Sequence, residues 1–170
     1  MKAFPSKKIF MAGSWKGLGQ VTGKPVQYKE MFELKVIKEE PAIVVNWQQF
    51  TKHAETDKGL HAENGFLKIL PMQAPGTTGD QFKAELMLSH PFSVNEYYQD
   101  CIFDFDTDTL TAQALDASCF QRGPTAKGKA ITGVKRVYKL AQEGQLEYEM
   151  HLGVDGGELN HHLSATLKLD

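Results

Sequence analysis

Residues 42–70, AIVVNWQQFTKHAETDKGLHAENGFLKIL, carry the pattern that decides the fold. Two runs rich in β-branched and aromatic residues, 42–51 and 60–70, flank a polar stretch that turns through Asp57, Lys58 and Gly59. Neither run repeats its apolar residues every 3.6 positions, as an amphipathic helix requires. Both read as half-buried strands, and the turn residues between them read as a connection.

The same texture extends in both directions. Strands are expected over residues 26–37, 82–89, 93–105, 131–140, 146–152 and 163–169, with two more near 11–19 and 115–120. Pro91 separates the strands at 82–89 and 93–105, and FDFDTDTLTA reads as a hairpin with Asp106 to Asp108 in its turn. Roughly ten strands joined by short connections favour antiparallel, up-and-down pairing. A sandwich or a barrel would accommodate them; closure into a barrel removes exposed edges, but periodicity alone does not choose. Residues 72–81 (MQAPGTTGDQ) form a loop rather than a boundary, and residues 1–170 read as one domain.

Composition narrows the function classes. With 41% hydrophobic and 24% charged residues, the 170-residue chain has enough apolar material to bury a core without disulfides. A net charge of −2 supplies no basic field for nucleic acid or anionic lipid. Cys101 and Cys119 show no CxxC spacing and are expected to pack as small apolar residues. No apolar run is long enough to cross a membrane as a helix, and MKAFPSKKIFMAG is too weakly apolar for a signal peptide, so a cytoplasmic location is expected.

The residues able to do chemistry are the six histidines, His53, His61, His90, His151, His161 and His162. None shows HExxH spacing, and the chain has no GxSxG elbow, P-loop or dinucleotide-binding glycine motif. Gly17 and Gly19 follow a tryptophan and lead into strand, which suits a close backbone approach rather than a phosphate cradle. His161 and His162 open the last strand, where an imidazole either projects into a pocket mouth or stays in solvent. His61 shares a strand face with Glu63 and would bond to a nearby carbonyl or carboxylate. His90, before Pro91, reads as a turn residue, and Trp15 and Trp47 read as core or barrel-end plugs. The basic run Lys127, Lys129, Lys135, Arg136 and Lys139 reads as a solvated outer face, with steering of an anionic ligand as its sharper alternative.

Several segments, in order along nearly the whole chain, resemble the nitrobindin family of haem proteins, which are similar in fold to fatty-acid-binding proteins and lipocalins. These are Gly13-Ser14-Trp15-Lys16-Gly17-Leu18-Gly19, Tyr28-Lys29-Glu30 with Trp47-Gln48-Gln49, Leu60-His61-Ala62-Glu63-Asn64-Gly65-Phe66-Leu67, Lys135-Arg136-Val137-Tyr138, and the closing His162-Leu163-Ser164-Ala165-Thr166-Leu167. The resemblance implies an all-β, ten-stranded antiparallel up-and-down barrel with one ferric haem b near an open end. It implies His162 as the proximal iron ligand, with His61, Leu60 and Leu152 in the pocket. It also implies small-molecule partners (haem, nitric oxide, peroxynitrite), with reversible nitric oxide binding and isomerisation of peroxynitrite to nitrate, and leaves a homodimer open.

The alternative is a non-catalytic barrel carrying a fatty acid or other apolar ligand. A hydrolytic or metal enzyme lacks a nucleophile–base signature. One conflict is visible in advance. Strict alternation puts His162 on the face of Ser164 and Thr166, opposite Leu163, Ala165 and Leu167, so it reaches a leucine-lined cavity only beside a bend or before the regular strand.

Overall fold

The computed structural model describes residues 1–142 and 144–170. Eleven strands form one sheet: β1 (Gly13–Val21), β2 (Gln27–Lys38), β3 (Ile43–His53), β4 (Gly59–Gln73), β5 (Gln81–His90), β6 (Val94–Asp104), β7 (Thr109–Ala114), β8 (Phe120–Arg122), β9 (Ile131–Gln142), β10 (Gln145–Val154) and β11 (Asn160–Leu169). Neighbours run β5-β4-β3-β2-β1-β11-β10-β9-β7-β6, all antiparallel, and β5 pairs with β6 to close the ring. The three-residue β8 pairs with the start of β6 and β7 with its end, so these two share one broken strand position. The barrel therefore has ten strand positions, and closure, which alternation could not decide, is settled by the β1–β11 and β5–β6 ladders.

One expected strand is corrected. Residues 115–120 do not form one; Ala117–Cys119 is a 3₁₀ turn whose cap, Asp116, accepts a 2.8 Å hydrogen bond from the Ser118 amide. The barrel strand in this region is β7, within what read as the far arm of a hairpin. A capping aspartate competes with the ladder for backbone donors and breaks the strand position in two.

Burial follows the pleat. On β4, His61, Glu63, Gly65, Leu67 and Ile69 point inward; on β5, Phe82, Ala84, Leu86, Leu88 and His90 do so. One barrel end is filled. Phe4, Ile9, Phe10 and Met11 precede β1 and pack on Trp15, Phe82, Phe103 and Phe105, with Phe4–Phe82 and Phe10–Phe103 ring centroids 4.9 and 5.1 Å apart. Trp15 Nε1 ties this plug down by donating to the Met11 carbonyl at 2.8 Å. At the other end, where β1, β3 and β5 finish, nothing comparable among the described residues covers the interior. Among the described residues no helix is long and apolar enough to cross a membrane.

Gly17 marks the close backbone approach expected of it, whereas Gly19 makes room for a side chain. A Cβ on Gly17 would lie 2.1 Å from the Thr166 carbonyl oxygen on β11, and one on Gly19 would lie 2.1 Å from the Tyr28 ring. Gly17→Ala should therefore force β1 and β11 apart and cost roughly 1–3 kcal/mol or more in urea denaturation. Gly59→Ala, whose Cβ meets nothing within 4 Å, should stay within about 0.5 kcal/mol of wild type. Equal stability of the two variants would refute this account of the seam.

Candidate functional site

The open end leads into a cavity of about 390 Å³, within the ~300–1,000 Å³ range of small-molecule sites. Its wall is apolar, with Val21, Leu60, Phe92, Val94, Leu152 and Leu163, while Lys127 and Lys129 stand at the mouth. Arg122 holds that basic loop by donating to the carbonyls of Lys127, Gly128 and Lys129. His162, His61, Leu60 and Leu152, from β11, β4 and β10, all line the cavity.

Two β-bulges on the rim aim two of these side chains. In the β10–β11 ladder Met150 pairs with Leu163 but His151 pairs with His161, leaving His162 as the extra residue. In the β3–β4 ladder Thr51 pairs with His61 but Lys52 with Gly59, leaving Leu60 as the extra residue. Each bulge turns an out-of-phase side chain inward. This resolves the alternation conflict at His162: Leu163 and His162 both reach the cavity although they are adjacent in sequence.

The paired histidines now separate. His161 is exposed, and its Nδ1 is 2.6 Å from the Thr22 hydroxyl while its ring packs against His151. His162 is half-buried, and among the described residues no hydrogen bond holds its ring. Burial, followed by the charges of Lys24, His161 and His61, lowers its pKa, which favours the neutral imidazole. A neutral ring with a free nitrogen lone pair in an apolar wall is the state that ligates iron.

The cavity floor is polar and was largely missed in the sequence. Arg136, read there with a solvated basic run, has a side chain only 5% exposed. Its guanidinium donates to both Glu63 oxygens at 2.6 and 2.9 Å, to Glu96 Oε2 at 3.2 Å, and from Nε to the Tyr98 hydroxyl at 2.8 Å. Tyr98 donates to Glu96 at 2.5 Å, and Trp47 Nε1 donates to Glu63 at 3.1 Å. Burial alone would raise both carboxyl pKa values. Arg136 and His61 outweigh it at Glu63, and His90 and Arg136 outweigh it at Glu96, so both stay ionised.

His90 opens a turn as expected, its carbonyl accepting from the Ser93 amide at 3.2 Å, but its side chain also lines the cavity. It ends the inward face of β5, and its ring lies 4.9 Å from that of His61, with Nδ1 3.2 Å from His61 Nε2. His61 Nε2 is also 3.2 Å from Glu63 Oε2, which is the carboxylate contact expected for it. Alternation gave the missing signal in each case. Arg136 falls between Val134 and Tyr138 on the inward face of β9, and His90 follows Leu88 in phase. Of the remaining basic residues, Lys135 and Lys139 lie off the cavity and Lys127 and Lys129 at its mouth.

A second cluster adjoins it, with Tyr28, Gln49 and Tyr148 also lining the cavity. Glu30 accepts from Tyr148 and from Gln49, each at 2.6 Å, and Tyr28 meets Tyr148 at 3.2 Å. Burial pushes the Glu30 carboxyl up to about 8 against these bonds. Gln49 Nε2 also donates to the Tyr148 hydroxyl at 3.1 Å, while Gln49 Oε1 is buried without a partner among the described residues.

The comparisons with known proteins agree with one another. The sequence pattern of the THAP4-like, heme-binding beta-barrel domain matches residues 7–168. A peroxynitrite isomerase of Nocardia farcinica is 24% identical over 160 residues, covering 94% of this chain and 87% of that protein. A peroxynitrite isomerase of Frankia alni is 31% identical over 113 residues, covering 66% of this chain and 68% of that protein. The crystal structure of Rv2717c from M. tuberculosis superimposes with a TM-score of 0.70 over 94% of this chain and 92% of that one, at 23% identity, a likeness of fold.

The raised Glu30 pKa has a definite sign in stability. Between the unfolded value of 4.5 and about 8 the native state holds a proton that the unfolded chain has released, so stability falls as pH rises through this window. Glu30→Gln should abolish that loss and be the more stable protein at pH 8–9, by an amount on the order of a few kcal/mol. Melting curves from pH 5 to 9 check this; parallel curves for the two proteins would refute it.

Proposed function

The chain belongs to the THAP4-like, heme-binding β-barrel family, and on that premise we propose that it holds ferric haem b in the open-end cavity, with His162 as the axial ligand. The further proposal is that it binds nitric oxide reversibly there and isomerises peroxynitrite to nitrate. One observation carries the reading: the β11 bulge delivers an unbonded, neutral imidazole into an apolar-walled cavity.

The residues present fit the group. His162 supplies one nitrogen lone pair, Leu60, Leu152 and Leu163 supply a wall that excludes water, and Lys127 and Lys129 suit the propionate carboxylates at the mouth. Leu152 sits two residues along β10 from Met150, which also lines the cavity, so that strand contributes a continuous apolar face. When bound, ferric haem supplies the electrophilic iron on which the rearrangement depends. The chain's part is to fix orientation through His162, restrict access, and place the polar side chain of His61 within the same cavity.

The fatty-acid carrier is the weaker reading. A carboxylate head group buried in the barrel needs a free cation, and the one guanidinium on the floor already serves Glu63 and Glu96. Two carboxylates against one guanidinium leave that floor negative, which repels the head group.

Titration of the purified protein with hemin should give a stoichiometric Soret band. His162→Ala should shift or abolish it and weaken binding by roughly tenfold or more, whereas His161→Ala should bind as wild type. An unchanged spectrum in His162→Ala would remove the proposed ligand, and no Soret band in either protein would remove the haem reading.

A further inference from the structure

Three potential donor atoms converge on one point of the cavity wall. His61 Nε2 lies 3.2 Å from His90 Nδ1 and 3.2 Å from Glu63 Oε2, and His90 Nδ1 lies 3.9 Å from Glu63 Oε2. As hydrogen bonds these contacts are poorly matched. A neutral histidine pair with His90 protonated at Nε2 can place only one proton, that of His61 Nε2, among the three atoms. That proton must be shared between Glu63 and His90.

A tetrahedral ion about 2.1 Å from each ligand separates its ligands by roughly 3.4 Å, which the observed triangle approximates. We propose that His61, His90 and Glu63 form a site for one divalent first-row transition ion, with one coordination position left open toward the cavity.

The surroundings support a built site. His90 has a side chain only 5% exposed, and its Nε2 has no hydrogen-bond partner although Glu96 Oε2 stands 3.4 Å away. With Nδ1 on a metal, Nε2 must carry its proton, and Glu96 is the carboxylate placed to orient it, the usual backing of a metal-bound histidine. Glu63 is oriented in turn by Arg136 and Trp47, which both donate to Oε1, while of these two only Arg136 donates to Oε2, which keeps its second acceptor direction for the ion.

Charge balance favours a cation as well. Glu63 and Glu96 face the site from β4 and β6 and Arg136 from β9, leaving one net negative charge, while Tyr98 adds only a hydroxyl. Two nitrogens and one carboxylate oxygen are a donor set for zinc, cobalt or ferrous iron rather than for calcium or magnesium. All three ligands line the cavity, so the fourth position opens to a water or a small anion. The site shares the cavity proposed for haem, but none of its ligands is His162.

Zinc titration of the haem-free protein against a chromophoric chelator tests it. One equivalent should bind, and His61→Ala and His90→Ala should each weaken binding by roughly 100-fold or more. His151→Ala/His161→Ala, which removes the outer histidine pair, should leave the affinity unchanged. Cobalt should give the visible absorption of a four-coordinate ion, lost in His90→Gln, with circular dichroism confirming that each variant is folded. Equal zinc binding by wild type and the His61→Ala/His90→Ala variant, no binding at all, or a purely six-coordinate cobalt spectrum would each overturn the proposal. Because no haem is present, none of these outcomes bears on His162 as a haem ligand.

Discussion

A guanidinium buried in the middle of the barrel sets the terms for everything around it. Arg136 reaches from β9 to Glu63 on β4 and Glu96 on β6, strands that are not neighbours in the ring. It thus ties the barrel across its interior rather than along its ladders. Removing a partner from such a buried set leaves an unpaired charge, typically at a cost of about 3–5 kcal/mol. Glu63 in turn positions Trp47 in the core and His61 in the cavity. The apolar lower half and the polar floor meet at this one residue.

That junction divides the barrel into two halves with different tasks. Below it, the N-terminal segment and a cluster of phenylalanines close one end, and the large side chains there are almost fully buried. Above it, the rim departs from regular pleating with bulges at His162 and Leu60, and the interior is left open. A barrel of ten strand positions has more interior than its side chains need to fill. The plugged end supplies the hydrophobic stabilisation, which releases the open end from packing for it.

Much of this was legible in the sequence. Alternating β-rich runs and their turns gave an antiparallel sheet of about ten strands, and ordered motifs pointed to His162, His61, Leu60 and Leu152, which the structure gathers around one cavity. Closure was legible only through the resemblance those motifs carry, because the β1–β11 and β5–β6 pairings are not encoded in the period of any single strand. The bulge at His162 was visible only as a conflict between alternation and the expected role. Arg136 was misread, and the cavity-facing side chain of His90 was missed, for a shared reason: local cues, a basic run and a following proline, were given more weight than strand phase. Away from the two rim bulges phase decides, since every second residue of a barrel strand faces inward whatever its polarity.

The polar floor also bears on what the cavity selects. An apolar wall by itself favours any greasy ligand and discriminates poorly among them. A buried floor with one uncompensated negative charge disfavours a ligand that brings an anion to it and favours one whose buried part is cationic, because the low dielectric strengthens both effects. A ferric porphyrin carries its net positive charge at its centre and its carboxylates at one edge. With that edge at Lys127 and Lys129, the proposed ligand matches the basic mouth and the acidic floor together, whereas a fatty acid could satisfy only the mouth.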